Sequence, residues 1–99
     1  MKLSLGIFQY EMQDEHPLDK IQRLEVHLSK SNNLDLVVCP ELFISGYGSH
    51  KKINEYCENH DGEFAKKISN LAKKFTTAII YGYPEKTNNH LYNLSLIHI

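Results

Sequence analysis

Ninety-nine residues suit one small domain or part of a larger one. The chain is 41% hydrophobic and 23% charged, an ordinary globular balance that argues against disorder. Its 11 basic residues face 12 acidic ones for a formal net charge of -1, with no basic stretch, so neither nucleic acid nor an anionic membrane is an expected partner.

The opening Met1-Lys2-Leu3-Ser4-Leu5-Gly6-Ile7-Phe8 has the flavour of a signal peptide, but its apolar run is too short. Gln9-Tyr10-Glu11 then stands where a small-residue cleavage site belongs. No apolar run is long enough to span a bilayer. Two cysteines, Cys39 and Cys57, do not make a disulfide framework, so a cytoplasmic, reducing location is expected.

Leu3 to Tyr10 reads as a buried strand. Asp14-Glu15-His16-Pro17 offers the acidic residues and proline of a helix start. Leu18, Ile21, Leu24 and Leu28 follow at helical spacing, giving a helix to about Lys30. Ser31-Asn32-Asn33 is a turn. Leu34 to Cys39 is a second strand, and its contiguous Leu36, Val37 and Val38 suggest burial on both faces, as in helix-covered parallel sheets. Residues 45–62, with glycines at 46, 48 and 62, read as irregular. Asp61 is placed to cap a second helix, whose stripe is Phe64, Ile68, Leu71, Ala72 and Phe75. Thr76 to Tyr83 reads as a third strand, Pro84 to His90 as a polar turn, and Leu91 to Ile99 as a fourth strand. The order β-α-β-α-β-β implies an α/β fold with two right-handed crossovers and an antiparallel return. The last strand leaves an open edge with no polar tail or closing helix after it, as expected of a truncated domain.

The chemistry concentrates in Val38-Cys39-Pro40-Glu41-Leu42-Phe43-Ile44-Ser45-Gly46-Tyr47. Glu41 lies between an apolar strand and an apolar run, so if buried it needs a partner or a raised pKa. It also falls near the carboxyl end of a strand, where α/β sheets open their ligand crevices. A partly desolvated glutamate there would be a competent general base. The plainer reading is a glutamate facing solvent or pairing with a lysine, and spacing alone leaves both open.

Cys39-Pro40-Glu41-Leu42-Phe43-Ile44-Ser45-Gly46-Tyr47 resembles the segment around the catalytic glutamate of the nitrilase superfamily of carbon–nitrogen hydrolases. Gln9 ending the first strand, Asp61-Gly62 before the second helix, Ile79-Ile80-Tyr81-Gly82-Tyr83-Pro84-Glu85 and Leu91-Tyr92-Asn93-Leu94-Ser95-Leu96-Ile97 agree in order and spacing, so the resemblance covers essentially residues 1–99. It implies the amino-terminal part of a four-layer α-β-β-α sandwich and a Glu-Lys-Cys triad. In that mechanism cysteine attacks the amide or nitrile carbon, glutamate serves as base, and lysine stabilises the tetrahedral intermediate. The resemblance implies Glu41 as general base, Tyr47 near the substrate pocket, no metal or organic cofactor, a small amide substrate and homo-oligomers at full length. The wording of Pro40-Glu41-Leu42-Phe43 and Tyr81-Gly82-Tyr83-Pro84-Glu85 leans towards amidases rather than true nitrilases.

This sequence departs from the family in a way that matters: the family's lysine and cysteine lie downstream of everything present here, so these 99 residues alone are expected to be inactive. Cys39, inside an apolar strand, reads as a small core residue. Cys57 lies outside any recognisable nucleophile setting, and Lys73, Lys74 and Lys86 read as solvated charges. Cys57 and His60 make half a zinc site with no second half. Asn93-Leu94-Ser95 fits a glycosylation sequon but falls in a strand of a chain not expected to be secreted. Two rivals remain: a glutaminase domain feeding ammonia to a fused synthetase, and a non-catalytic α/β module binding a partner through its open sheet edge.

Overall fold

A computed structural model describes residues 2–9, 15–31, 33–47 and 50–99. The expectations that touched Tyr10, Asp14, Asn32 and Gly48 fall outside these residues. The described elements are β1 (Leu5–Ile7), α1 (Pro17–Lys30), β2 (Leu36–Val38), α2 (His50–Tyr56), α3 (Glu63–Phe75), β3 (Ala78–Thr87) and β4 (His90–His98). The strands form one mixed sheet in the order β1-β2-β3-β4. β1–β2 and β2–β3 are parallel, and β3–β4 is antiparallel, as the α/β reading expects.

Helix α1 begins where Pro17 fixes φ at the first helical position, and the His16 imidazole Nδ1 accepts a hydrogen bond from the Leu18 amide at 3.1 Å. Its inner stripe is Pro17, Ile21, Leu24 and Leu28, and that of α3 is Phe64, Ala65, Ile68, Leu71 and Ala72. Both stripes join one core with Val37 of β2 and with Ile79, Tyr81 and Tyr83 of β3. Removing each large aliphatic side chain from water contributes about 1.5–3 kcal/mol.

Because α1 and α3 serve the same sheet face, strand residues alternate between covered and bare. Val37 is buried, while its neighbour Val38 is 39% exposed and the facing Ile7 77% exposed. The expected burial of β2 on both faces is therefore not met within the described residues. A contiguous apolar run reports what a strand can bury, and the covering layer has to come from elsewhere in the chain.

Three further expectations are corrected. The stretch 45–62 holds a helix, α2, whose half-buried inner positions Ile53 and Tyr56 are too few to show periodicity. Asp61 does not cap α3. Glu58 does: its carboxylate oxygens accept from the amides of Phe64 at 3.0 Å and Ala65 at 2.9 Å, placing negative charge at the positive end of the helix. Pro84 to Thr87 continues β3, so the turn shrinks to Asn88-Asn89, both at positive φ (51° and 64°), which asparagine tolerates in tight hairpins.

Candidate functional site

The chain leaves β2 at Cys39, whose amide donates to the Ile80 carbonyl at 2.8 Å, and turns at once through Glu41 to Ser45. The hydrophobic effect orients this turn: Phe43 and Ile44 are fully buried and Leu42 nearly so. With those side chains inward, the Glu41 carboxylate is left outside, at the carboxyl end of β2. Glu41 is exposed. Of the two readings left open by spacing, the described residues give the solvent-facing one, because the apolar neighbours bury themselves rather than the carboxylate.

Glu41 nevertheless has a partner. The Tyr47 hydroxyl donates to its Oε1 at 2.7 Å, so both site residues named from the sequence meet. Tyr47 is itself 56% exposed. Its phenol is held above its ordinary pKa, first by the hydrogen bond to Glu41, then by slight desolvation and by the carboxylate's charge.

Three features fix the backbone beneath Glu41. Leu42 has φ 48°, a left-handed conformation uncommon for a bulky residue, and the Gly46 amide closes on its carbonyl at 2.7 Å. Such backbone costs of order 1–3 kcal/mol and persists only where the surroundings over-determine it. Gly82 of β3 lies directly against the turn. Its amide donates to the Pro40 carbonyl and its carbonyl accepts from the Ile44 amide, both at 3.3 Å. A Cβ on Gly82 would meet the Leu42 nitrogen and stand 2.9 Å from the Glu41 Cα and 3.0 Å from its carbonyl carbon. From α1, Lys20 reaches beneath: it is 1% exposed, and its Nζ donates to the carbonyls of Phe43 at 3.0 Å and Ile44 at 3.3 Å. Burial holds this ammonium below its ordinary pKa, and the charge of Glu15 partly opposes that.

Sequence reasoning gave no role to Lys20, Gly82 or Glu58. Lys20 had a signal, a lysine in register with the stripe at Pro17, Leu24 and Leu28. Gly82 had one too, a lone glycine between two aromatic residues of a strand, which marks close backbone approach. Glu58 lies in an extended segment and had none.

Cys39 is buried, and that burial pushes its thiol up to about 12, far from a reactive thiolate. Cys57 is half-buried and its Sγ donates to the Asn54 carbonyl at 3.1 Å. Lys73 and Lys86 are exposed, and Lys74 pairs with Glu25 at 2.7 Å on the surface. Among the described residues no group of three His, Cys, Asp or Glu side chains is arranged to hold a metal ion. No helix among them is long and apolar enough to cross a membrane.

The carbon–nitrogen hydrolase family model matches residues 4–98. A hydrolase of Pseudomonas protegens is 38% identical over 82 residues, which is 78% of this chain and 29% of that protein. A probable nitrilase of Schizosaccharomyces pombe is 37% identical over 84 residues, covering 80% of this chain and 31% of the relative. The crystal structure of an N-terminal amidase with a Gln-Gly peptide superposes with a TM-score of 0.81 at 27% identity, over 96% of this chain and 24% of that one. The chain thus spans under a third of the length of these relatives. It belongs to the carbon–nitrogen hydrolase family, the nitrilase superfamily.

Proposed function

We propose that these residues are the glutamate-bearing part of an amide hydrolase, with Glu41 as its general base and Tyr47 beside the substrate pocket. The observation that carries the reading is the Glu41 carboxylate itself. It sits at the carboxyl end of a central strand, accessible to a substrate, on a turn held from two sides and hydrogen-bonded to Tyr47.

In this reading, the rest of the polypeptide supplies a cysteine and a lysine. The cysteine sulfur bonds to the amide carbon while its proton passes to the Glu41 carboxylate. The lysine stabilises the oxyanion. Collapse of the intermediate breaks the C–N bond, and Glu41 returns the proton to the departing amine. Glu41 then takes a proton from water as the hydroxyl adds to the thioester, and returns it to the departing sulfur as the C–S bond breaks, which releases the acid and the thiol. Neither metal nor organic cofactor takes part. The substrate is a small amide, the compartment the cytoplasm, and the working form a homo-oligomer. The structural neighbour that carries a Gln-Gly peptide supports amides as the substrate class.

The test is Glu41→Gln in the whole protein, assayed on a panel of small primary amides and glutaminyl dipeptides. Turnover is expected to fall by orders of magnitude with the fold intact, since the exchange removes the base while nearly conserving volume. Turnover close to the parent's refutes the role of Glu41. The kinship with a probable nitrilase gives a second reading, nitriles in place of amides, which the same assay resolves by including aliphatic nitriles.

A further inference from the structure

Lys20 is an unusual residue for its place. Along α1 it shares the inner face with Pro17, Leu24 and Leu28, yet it carries an ammonium group into a core that offers little water. A leucine or methionine there would fill the same space without desolvating a charge, and such exchanges of buried ionic groups for apolar ones are often neutral or favourable to stability. What an apolar side chain lacks is a donor. The Lys20 ammonium spends two N–H groups on the carbonyls of Phe43 and Ile44, residues two and three beyond Glu41.

Those carbonyls belong to a turn rather than a helix or strand, so no repeating ladder dictates their direction. Among the described residues the charge of Glu15 favours the ammonium, and Glu15 is itself ion-paired with Arg23 at 2.7 Å. Lys20 thereby ties α1 to the underside of the turn, while Tyr47 holds the carboxylate on its outer side.

We propose that Lys20 is a positioning residue for Glu41, fixing through the Phe43 and Ile44 carbonyls the turn that aims the carboxylate. This rests on the reading of Glu41 as general base. Lys20 touches neither substrate nor reacting atoms, and it acts by restricting where the base can be. Misplacing a catalytic group by about 1 Å costs on the order of a hundredfold in rate, so a strut of this kind affects kcat far more than KM.

The experiment is steady-state kinetics of the whole protein on its best amide, for Lys20→Met, Lys20→Arg and the pair Lys20→Met with Glu41→Gln. Lys20→Met is expected to lower kcat at least about tenfold with KM within about twofold, and Lys20→Arg, which keeps its donors, to recover part of the loss. In the Glu41→Gln background Lys20→Met should cost nothing further, because residues acting as one unit are non-additive. A folded Lys20→Met protein with parental kcat overturns the proposal, as does an undiminished further loss in the Glu41→Gln background. Should Lys20→Met fail to fold, Lys20→Gln, which keeps one short donor, takes its place under the same criteria. Failure of the underlying reading looks different: Glu41→Gln alone then turns over at the parental rate, whatever the Lys20 variants do.

Discussion

Replacing Gly82 by alanine adds one methyl group against the backbone that carries Glu41. The new Cβ would lie 2.9 Å from the Glu41 Cα and 3.0 Å from its carbonyl carbon, in addition to its overlap with the Leu42 nitrogen. Carbon atoms rest at about 3.5–4.0 Å, so the turn has to recede by roughly 0.5–1 Å. All three atoms are main chain, and no side-chain rotation relieves them. The displacement lengthens the two 3.3 Å hydrogen bonds between Gly82 and the turn, each worth about 1 kcal/mol, and pulls Phe43 and Ile44 in the core. Together these effects match the cost of overpacking, about 1–3 kcal/mol, and the shift of Glu41 predicts a loss of up to about a hundredfold in turnover.

Urea denaturation of the whole protein reads the first quantity, and amide turnover reads the second. Gly6→Ala is the control. Its Cβ would meet chiefly the Leu34 side-chain tip, with the Cδ1 methyl 2.8 Å away, and the end of that side chain can swing aside by rotation about its χ2 bond. It should therefore change stability by less than about 1 kcal/mol. Gly82→Ala with stability and turnover equal to those of the Gly6→Ala control refutes the argument that β3 sets the position of the Glu41 turn.

Two further predictions follow from the same packing. Glu58→Ala removes the carboxylate that accepts from the Phe64 and Ala65 amides and should cost about 1–2 kcal/mol in a denaturation midpoint, whereas Asp61→Ala should cost far less; equal effects would overturn the capping assignment. Cys39 governs an alkaline response. Its thiol is pushed from 9.0 up to about 12 by burial, so between those values the folded state keeps a proton that the unfolded state releases. Stability is therefore fully present below pH 9.0 and lost as pH rises towards 12, with a slope of at most about 1.4 kcal/mol per pH unit. Tyr81 and Tyr83, also raised by burial, act in the same direction. Hence the test is the difference: Cys39→Ala should flatten the fall in urea midpoint above about pH 9 relative to the parent, and an identical slope refutes it.

Much of this protein is written locally. The stripes of α1 and α3 repeat every three or four residues, and packing kept most of both where the periodicity put them, although Leu18 is exposed with Pro17 buried in its stead and Phe75 is only half-buried. Glu41 and Tyr47 were singled out because the run from Cys39 to Tyr47 resembles a family segment; the family itself is confirmed by the match over residues 4–98. The hairpin turn was less legible. Pro84 and Lys86 look like turn residues, but pairing with β4 carries the ladder on to Thr87. Neighbouring residues cannot announce a partner strand that comes later in the chain.

The sequence by itself determined which residues want to leave water and in what period, and that is enough to specify α1, α3, the existence of the strands and the α/β order, though not α2. Only the tertiary structure decided which sheet face the helices cover, and so why Val37 is buried while Val38 is bare. It alone showed that Glu41 points outward because Leu42, Phe43 and Ile44 compete for the core, and that Lys20 and Gly82 hold the turn from partners 23 and more residues away. Hydrophobic periodicity is a property of neighbours along the chain. A buried ammonium reaching two carbonyls, or a missing Cβ that lets two backbones touch, is a property of distance in space, and it exists only once the long-range contacts have formed.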